Sequence, residues 1–209
     1  MKLLHIDASI LGSTSVSRSL SAAAVARLKQ LHPGIEVFYR DLVADPLPHL
    51  TVSHLPARYF LAGAAALDHD TEERRRIDEA VLDEFLAADI VVIGSPMYNF
   101  TVPTQLKAWI DRIVIAGKTF RYTPQGQLIG LAADKRVICT LSRGGFYGAD
   151  NPWRVNEHLE TYLRSILGYI GVTRLEFIIA EGVQIAPEIR KKSHEEALRT
   201  AADLALAPE

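Results

Sequence analysis

The sequence predicts an α/β fold in which helices cover both faces of a doubly wound parallel sheet. Short apolar runs rich in β-branched residues alternate with helical stretches along the chain, which is typical of strand-helix-strand units. Three loops of unusual composition each follow a predicted strand. Ligands of open α/β sheets bind at the carboxyl ends of the strands, so these loops are the first candidates for a functional site.

Composition limits the classes of function. The chain has 209 residues, 48% hydrophobic and 23% charged, with a net charge of -2; this indicates one globular domain spanning residues 1–209. It has no long block of like charge, so neither a nucleic-acid partner nor a membrane partner is expected. Asp7 comes too early for a signal peptide, which predicts a cytoplasmic protein. Cys139 lies in an apolar run and is expected to be buried rather than nucleophilic.

The first half of the chain contains two predicted strands and two predicted helices. The strands cover residues 2–7 and 35–40, and the first helix covers 17–31. Residues 41–63 carry three prolines and are too apolar for a disordered linker; such an excursion is expected to cover a site or to reach a partner subunit. A helix follows from Thr71, with a buried stripe of Ile77, Val81, Leu82, Phe85 and Leu86.

The second half continues the alternation. The third strand starts at Ile90 and breaks at Gly94, and Pro103 is expected in the first turn of the next helix. Trp109 in that helix fits burial in the core of its own chain, and a subunit interface is the alternative. The remaining predictions are two extended segments around Pro124-Gln125-Gly126, strands at 136–141 and 173–180, and helices at 153–169 and 187–206.

The loop after the first strand is rich in hydroxyl side chains, with five serines and a threonine between Ser9 and Ser19. A strand, such a loop and a helix start in succession form an anion site, because free N–H groups and the positive end of the helix dipole converge there. One serine would be enough to cap the helix. Ser15 and Ser17 are therefore predicted to bind a phosphate, and Arg18 is predicted to add positive charge.

Two further loops suit a flat heteroaromatic ligand. Met97-Tyr98-Asn99-Phe100 follows the third strand and offers two rings, an amide and backbone N–H groups. Gly144-Gly145 follows the fourth strand and lets a ligand approach the backbone closely. In the flavodoxin-like strand order 2-1-3-4-5, all three loops meet around one crevice. The convergence predicts an FMN site, with the phosphate on the first loop and the flavin ring between the other two.

Other nucleotide fingerprints are absent from the sequence. It has no Gly-x-Gly-x-x-Gly after the first strand and no Gly-x-x-x-x-Gly-Lys-Ser/Thr, which argues against a dinucleotide fold and a P-loop. No His-x-x-x-His pair occurs, and His5 is expected to be a hydrogen-bonded core residue, so no metal is predicted.

The chain resembles the FMN-dependent NADH azoreductases, also described as NADH:quinone oxidoreductases of flavodoxin-like fold. The resemblance runs through nearly the whole chain and includes Arg40-Asp41-Leu42, Pro96-Met97-Tyr98-Asn99-Phe100, Thr104-Gln105-Leu106-Lys107, Thr119-Phe120-Arg121-Tyr122, Ser142-Arg143-Gly144-Gly145, Gly168-Tyr169-Ile170-Gly171 and Ala180-Glu181-Gly182. Carried over by position, it implies FMN contacts at Ser9, Ser15, Val16, Ser17, Met97, Tyr98, Asn99, Phe100, Ser142, Arg143, Gly144 and Gly145.

The resemblance also implies a reaction. By a ping-pong hydride transfer, NADH would reduce FMN, and the reduced flavin would reduce a quinone or an azo compound. The cofactor carries the chemistry, so no side chain is predicted to be catalytic. Hydrogen bonds from Asn99 and the Gly144-Gly145 region to the flavin are expected. The substrate pocket is expected to include Tyr59, Phe60, Phe120 and Tyr147, and a homodimer with shared active sites is implied.

Two other functions use a similar sheet. A flavodoxin-type electron carrier would bind FMN without turning over NADH itself, but such carriers are usually shorter and strongly acidic. A receiver-type signalling domain needs an aspartate after the third strand, where this chain has Ser95 and Pro96. The sequence therefore favours the enzyme.

Overall fold

The sheet has the predicted topology. The computed structural model describes residues 1–51 and 69–205. Its strands are β1 (Lys2–Asp7), β2 (Glu36–Asp41), β3 (Ile90–Pro96), β4 (Phe120–Tyr122), β5 (Leu128–Gly130), β6 (Arg136–Ser142) and β7 (Arg174–Ala180). Five of them form a parallel sheet in the order β2-β1-β3-β6-β7, and β4 pairs with β5 in a separate antiparallel hairpin. Apart from the hairpin, this order is the predicted 2-1-3-4-5.

The helices cover the sheet on both faces. They are α1 (Val16–Leu31), α2 (His69–Ala87), α3 (Thr104–Ile113), α4 (Glu160–Tyr169) and α5 (Pro187–Ala202), and 3-10 turns span Gly12–Thr14 and Pro152–Asn156. Side chains alternate across each strand, so β3 sends Val92 to the face covered by α1 and α5, and Val91 and Ile93 to the face covered by α2, α3 and α4. Such burial stabilises the fold by about 1.5–3 kcal/mol per large aliphatic side chain.

The core on the α2–α3 face settles the alternatives for Trp109. Its side chain is fully buried within its own chain, and its ring meets Phe85 edge to face at 5.9 Å. Trp109 is thus a core residue and does not form a subunit interface. Ile77 was expected in the buried stripe of α2 but is exposed, because the stripe that reaches the sheet begins at Val81.

Two predicted helix starts were wrong. Pro103 precedes α3 in an extended conformation rather than lying in its first turn. The helix predicted from residue 153 begins at Glu160, because the Glu157 carboxylate accepts the backbone N–H groups of Leu159, Glu160 and Thr161. Glu157 thereby satisfies donors that every helix start leaves free.

The β4–β5 hairpin lies at the amino ends of β6 and β7. Gly130 packs directly on Gly171, which precedes β7, and the pair leaves no room for a Cβ atom on either residue. The Phe120 ring packs against the Tyr169 ring at an angle of 58°, with ring centroids 4.9 Å apart. The hairpin is therefore separated from the carboxyl ends of the sheet by the length of the strands. No helix within residues 1–51 and 69–205 has the length and apolar character needed to cross a membrane.

Candidate functional site

The three unusual loops surround one cavity at the carboxyl ends of β1, β3 and β6. Its volume is about 140 Å³, and it is lined by Ser9, Leu11, Ser15, Val16, Pro96, Met97, Tyr98, Ser142, Gly144, Val183, Gln184 and Arg190. The sheet continues into the loops, since the N–H of Met97 donates to the carbonyl of Ser142 at 2.8 Å. Tyr98 joins two of the loops, because its hydroxyl accepts the N–H of Ile10 at 3.3 Å. The convergence expected from the sequence is thus present in the fold.

The first loop presents a helix start to this cavity. Ser15 caps α1, and its hydroxyl accepts the N–H of Arg18 and lies 3.1 Å from the Ser17 hydroxyl. In the described part of the chain, the N–H groups of Val16 and Ser17 have no hydrogen-bond partner. One serine does the capping, and two backbone donors and two hydroxyl groups are left for an anion at the positive end of the helix.

The loop after β3 is a strained two-residue turn. Tyr98 and Thr101 exchange two backbone hydrogen bonds of 3.0 and 3.1 Å, and the turn between them places Asn99 at φ 46° and Phe100 at φ 73°. Left-handed conformations at both central positions define a type I′ turn, which strongly prefers glycine at the second. Phenylalanine there is strained by about 1–3 kcal/mol, and strain of this kind is concentrated at functional sites.

The loop after β6 is held open by its neighbours. The carbonyls of Gly144 and Gly145 accept the N–H groups of Gln184 and Gly182, while their own N–H groups have no partner among the described residues. Tyr147 stands beside Gly145, within 3.5 Å of the position a Cβ atom would occupy, and meets Phe100 edge to face at 6.4 Å. Two bare N–H donors thus lie beside a pair of aromatic rings.

Arg18 does not add charge to the cavity. Its guanidinium forms a bidentate ion pair with Asp41 at 2.6 and 2.7 Å and donates to the carbonyl of Ser9 at 2.8 and 3.0 Å. The Asp41 carboxylate neutralises the charge of Arg18, so Arg18 adds no net positive charge to the cavity. Its hydrogen bonds to Ser9 instead fix the backbone of the first loop. The hydrogen bond from Arg18 lowers the pKa of Asp41 from 3.8 to about 2.

Arg143 is also directed away from the cavity. Its side chain is 4% exposed and pairs with Glu157, Glu160 and Glu181 at 3.2, 2.6 and 2.8 Å. These carboxylates belong to the segments that begin α4 and follow β7. The backbone of Arg143 is hydrogen-bonded as well, because its N–H donates to the carbonyl of Ala180 and its carbonyl accepts the N–H of Val183.

Apart from Arg143, which does not line the cavity, the predicted site residues fall into three groups. Ser9, Ser15, Val16, Met97, Tyr98, Ser142 and Gly144 line the cavity. Ser17, Asn99, Phe100, Gly145 and Tyr147 adjoin it through the contacts described above. Phe120 lies on the hairpin at the other end of the sheet, away from the cavity of its own chain, and Tyr59 and Phe60 lie outside the described residues.

Sequence reasoning missed five cavity residues. One is Pro96, which ends β3 directly before the predicted Met97. Leu11 was overlooked within the hydroxyl-rich loop. Val183 and Gln184 follow the fifth strand of the sheet, and the strand order alone places that loop beside the Gly144-Gly145 loop. Arg190 lies on α5, and nothing in its local sequence distinguishes it from other surface arginines.

Larger cavities lie elsewhere among the described residues. One of about 600 Å³ lies beside Arg18 and Tyr39, and one of about 400 Å³ lies beside Arg143. Neither is lined by residues of all three loops, so the smaller cavity remains the candidate site. Residues 1–51 and 69–205 contain no group of three His, Cys, Asp or Glu side chains that could hold a metal ion.

The fold and the cavity together define a flavodoxin-like protein. A family model described as "Flavodoxin-like fold" matches residues 1–204. The FMN-dependent NADH:quinone oxidoreductase 2 of Bradyrhizobium diazoefficiens is 56% identical over 207 residues, which cover 99% of this chain and 100% of that protein.

Solved structures of azoreductases have the same fold as this chain. An azoreductase from Bacillus anthracis superposes with a TM-score of 0.84 at 32% identity, covering 98% of this chain and 100% of that chain. An FMN-dependent NADH-azoreductase from the same species, in complex with FMN, superposes with a TM-score of 0.83 at 25% identity, covering 96% and 97%. The chain therefore belongs to the flavodoxin-like family that includes these quinone oxidoreductases and azoreductases.

Proposed function

We propose that this chain, as a single domain, is an FMN-dependent oxidoreductase that uses NADH to reduce quinones and azo compounds. The full-length identity to an NADH:quinone oxidoreductase favours an enzyme over a flavodoxin-type electron carrier. A cytoplasmic location remains a prediction.

The observation that carries the proposal for the site is a set of backbone N–H groups without partners among the described residues. They belong to Val16 and Ser17, to Asn99 and Phe100, and to Gly144 and Gly145, so each of the three loops contributes two. Successive backbone N–H groups in loops of this kind form concave sites for anions and polar ligands. FMN fits this arrangement because it has a phosphate at one end and a polar ring edge at the other.

FMN, when bound, supplies the transfer of hydride from NADH to the acceptor. The chain would bind the phosphate at the start of α1, with the hydroxyl groups of Ser15 and Ser17. Asn99, Gly144 and Gly145 would donate hydrogen bonds to the polar edge of the ring, which stabilises negative charge on it. Phe100 and Tyr147 would pack beside the ring and the flat acceptor.

We further propose a homodimer that completes each site. The cavity of about 140 Å³ is smaller than the roughly 300–1,000 Å³ of most ligand pockets, so the described part of one chain encloses only part of a flavin. Large apolar side chains are exposed on the adjoining loops, with Phe100, Phe146, Trp153 and Val155 at 42%, 44%, 62% and 75%. Phe120 lies away from the cavity of its own chain, and we propose that it contributes to the site of the partner.

The experiment is an anaerobic visible spectrum of the purified protein, before and after NADH and then after a quinone. A flavin spectrum that bleaches with NADH and returns with quinone supports the enzyme. A protein that binds FMN but is not reduced by NADH would instead be an electron carrier. Sedimentation equilibrium on the same sample tests the dimer, and a monomer at micromolar concentration would overturn that part.

A further inference from the structure

We infer that Arg190 is the cation that neutralises the phosphate of the bound flavin, a role resting on the proposed function. The phosphate of FMN carries close to two negative charges at neutral pH. The helix start and the hydroxyl groups of the first loop supply hydrogen bonds but no full positive charge. Arg18, the cation that the sequence suggests, is already neutralised by Asp41.

Arg190 is the single charged residue among the described residues that line the cavity. It reaches the cavity from the second turn of α5, on the same face of the sheet as α1. One terminal nitrogen of its guanidinium donates to the carbonyl of Thr14 at 3.0 Å, and the other donates to the carbonyl of Val183 at 3.4 Å. Thr14 directly precedes the capping residue Ser15, so the guanidinium lies against the start of α1.

These two contacts fix the position of the charge without cancelling it. Carbonyl groups orient a guanidinium, whereas only an anion neutralises it, and Arg190 has no carboxylate partner within the described residues. An arginine has five N–H donors, so donors remain for a phosphate after the two carbonyls are satisfied. The arginines of the first and third of the unusual loops contrast with it, because Arg18 and Arg143 both pair with carboxylates.

A comparison of FMN with riboflavin tests this inference, since the two flavins differ by the phosphate alone. The apoprotein is titrated with each flavin, and the quenching of flavin fluorescence gives the two dissociation constants. Arg190→Gln should weaken FMN binding by about 10- to 100-fold, as expected for the loss of a charge-assisted hydrogen bond, and leave riboflavin binding unchanged. Arg190→Lys keeps the charge and should recover part of the loss.

The matched control is Lys191→Gln, which removes the same charge one residue further along α5. The Lys191 side chain is 77% exposed and makes a loose contact with Glu195 at 3.9 Å, so neither flavin should bind differently. Circular dichroism checks that each variant is folded. If Arg190→Gln does not fold, Arg190→Lys is used for the comparison of FMN with riboflavin.

Each remaining outcome overturns something definite. Equal weakening of FMN and riboflavin would show that Arg190 only holds the loop through Thr14, and the inference would fail. Unchanged affinities for both flavins would also contradict it, while leaving the FMN site intact. If the unaltered protein binds neither flavin, the proposed function fails, and this inference fails with it.

Discussion

Two arginines hold loops on opposite sides of the candidate site, and they do so with different amounts of opposing charge. On one side, Arg18 pairs with Asp41 and donates hydrogen bonds to the Ser9 carbonyl. On the other, Arg143 faces Glu157, Glu160 and Glu181. Arg18 has one close carboxylate partner and Arg143 has three, so the same residue type supports one loop by a single pair and the other by a redundant cluster.

The difference shows how a buried charge behaves when its partners outnumber it. Arg143, whose side chain is 4% exposed, must hold three carboxylates that repel one another. In the other pair, the Asp41 side chain is 21% exposed and also accepts the N–H groups of Val43 and Ala44. We therefore expect the stability of the loop after β6 to depend most on Arg143 itself. The stability of the loop after β1 should depend most on Asp41, the carboxylate partner of Arg18.

Arg143→Met should have the largest effect. It leaves three carboxylates without their shared cation, among them Glu157 at 8% exposed, and breaking a buried ion pair in this way costs about 3–5 kcal/mol. Urea unfolding of the apoprotein at fixed protein concentration measures the loss of unfolding free energy. Amide hydrogen exchange in the loop that contains Gly144 and Gly145 should also become faster. Glu181 accepts the Tyr147 N–H at 3.1 Å, so a displaced Glu181 would release this loop.

The control for Arg143→Met is Arg164→Met. Arg164 pairs with the same Glu160, but its side chain is 53% exposed, and it lies over the Phe177 ring. Its removal should cost about 1 kcal/mol, the sum of a surface ion pair and an exposed cation–π contact. Equal losses in the two variants would mean that burial does not set the strength of the Arg143 cluster.

Arg18→Met should cost less, about 1–3 kcal/mol, because it frees one carboxylate rather than three, and two N–H groups still bind that carboxylate. Its effect on FMN should exceed its effect on folding, since the Ser9 carbonyl loses both of its guanidinium contacts. Isothermal titration of the apoprotein with FMN gives the affinity, and urea unfolding gives the stability. A variant that loses stability but binds FMN as before would show that Arg18 does not position the first loop.

Acid should weaken the ion pair between Arg18 and Asp41. The pKa of Asp41 is about 2 in the fold against an ordinary 3.8, so the folded protein binds this proton less tightly than the unfolded chain. The stabilisation is fully present above about pH 4 and is lost as the pH falls toward 2. Its size is about 1–2 kcal/mol after allowance for exposure.

Asp41→Asn removes this dependence. The variant should be less stable than the parent at pH 6, and the difference should shrink between pH 4 and pH 2, as followed by urea unfolding at each pH. Parallel curves for the two proteins over that range would contradict the assignment to Asp41.

The sheet and the convergence of the loops could be read from the sequence because strand periodicity and strand order are local or topological signals. The partners of Arg18 and Arg143 could not, since Asp41 and the glutamates are distant in sequence and nothing local tells whether a guanidinium faces a ligand or a carboxylate. Arg190 was missed for the same reason. The helix α4 begins later than the sequence predicts because the Glu157 carboxylate accepts the free N–H groups of its first turn.

Glu181→Gln should have the smallest effect and gives the sharpest test of redundancy. The amide oxygen of glutamine can still accept from Arg143 and from the Tyr147 N–H, and two carboxylates remain on the guanidinium. Loss of one negative charge also relieves repulsion within the cluster, so the unfolding free energy should change by less than about 1 kcal/mol. Asp41→Asn, which takes the closest carboxylate from Arg18, should cost about 1.5–3 kcal/mol at the same pH. If Glu181→Gln proves the more harmful of the two, the three glutamates do not share the charge of Arg143, and Glu181 alone holds the loop after β6.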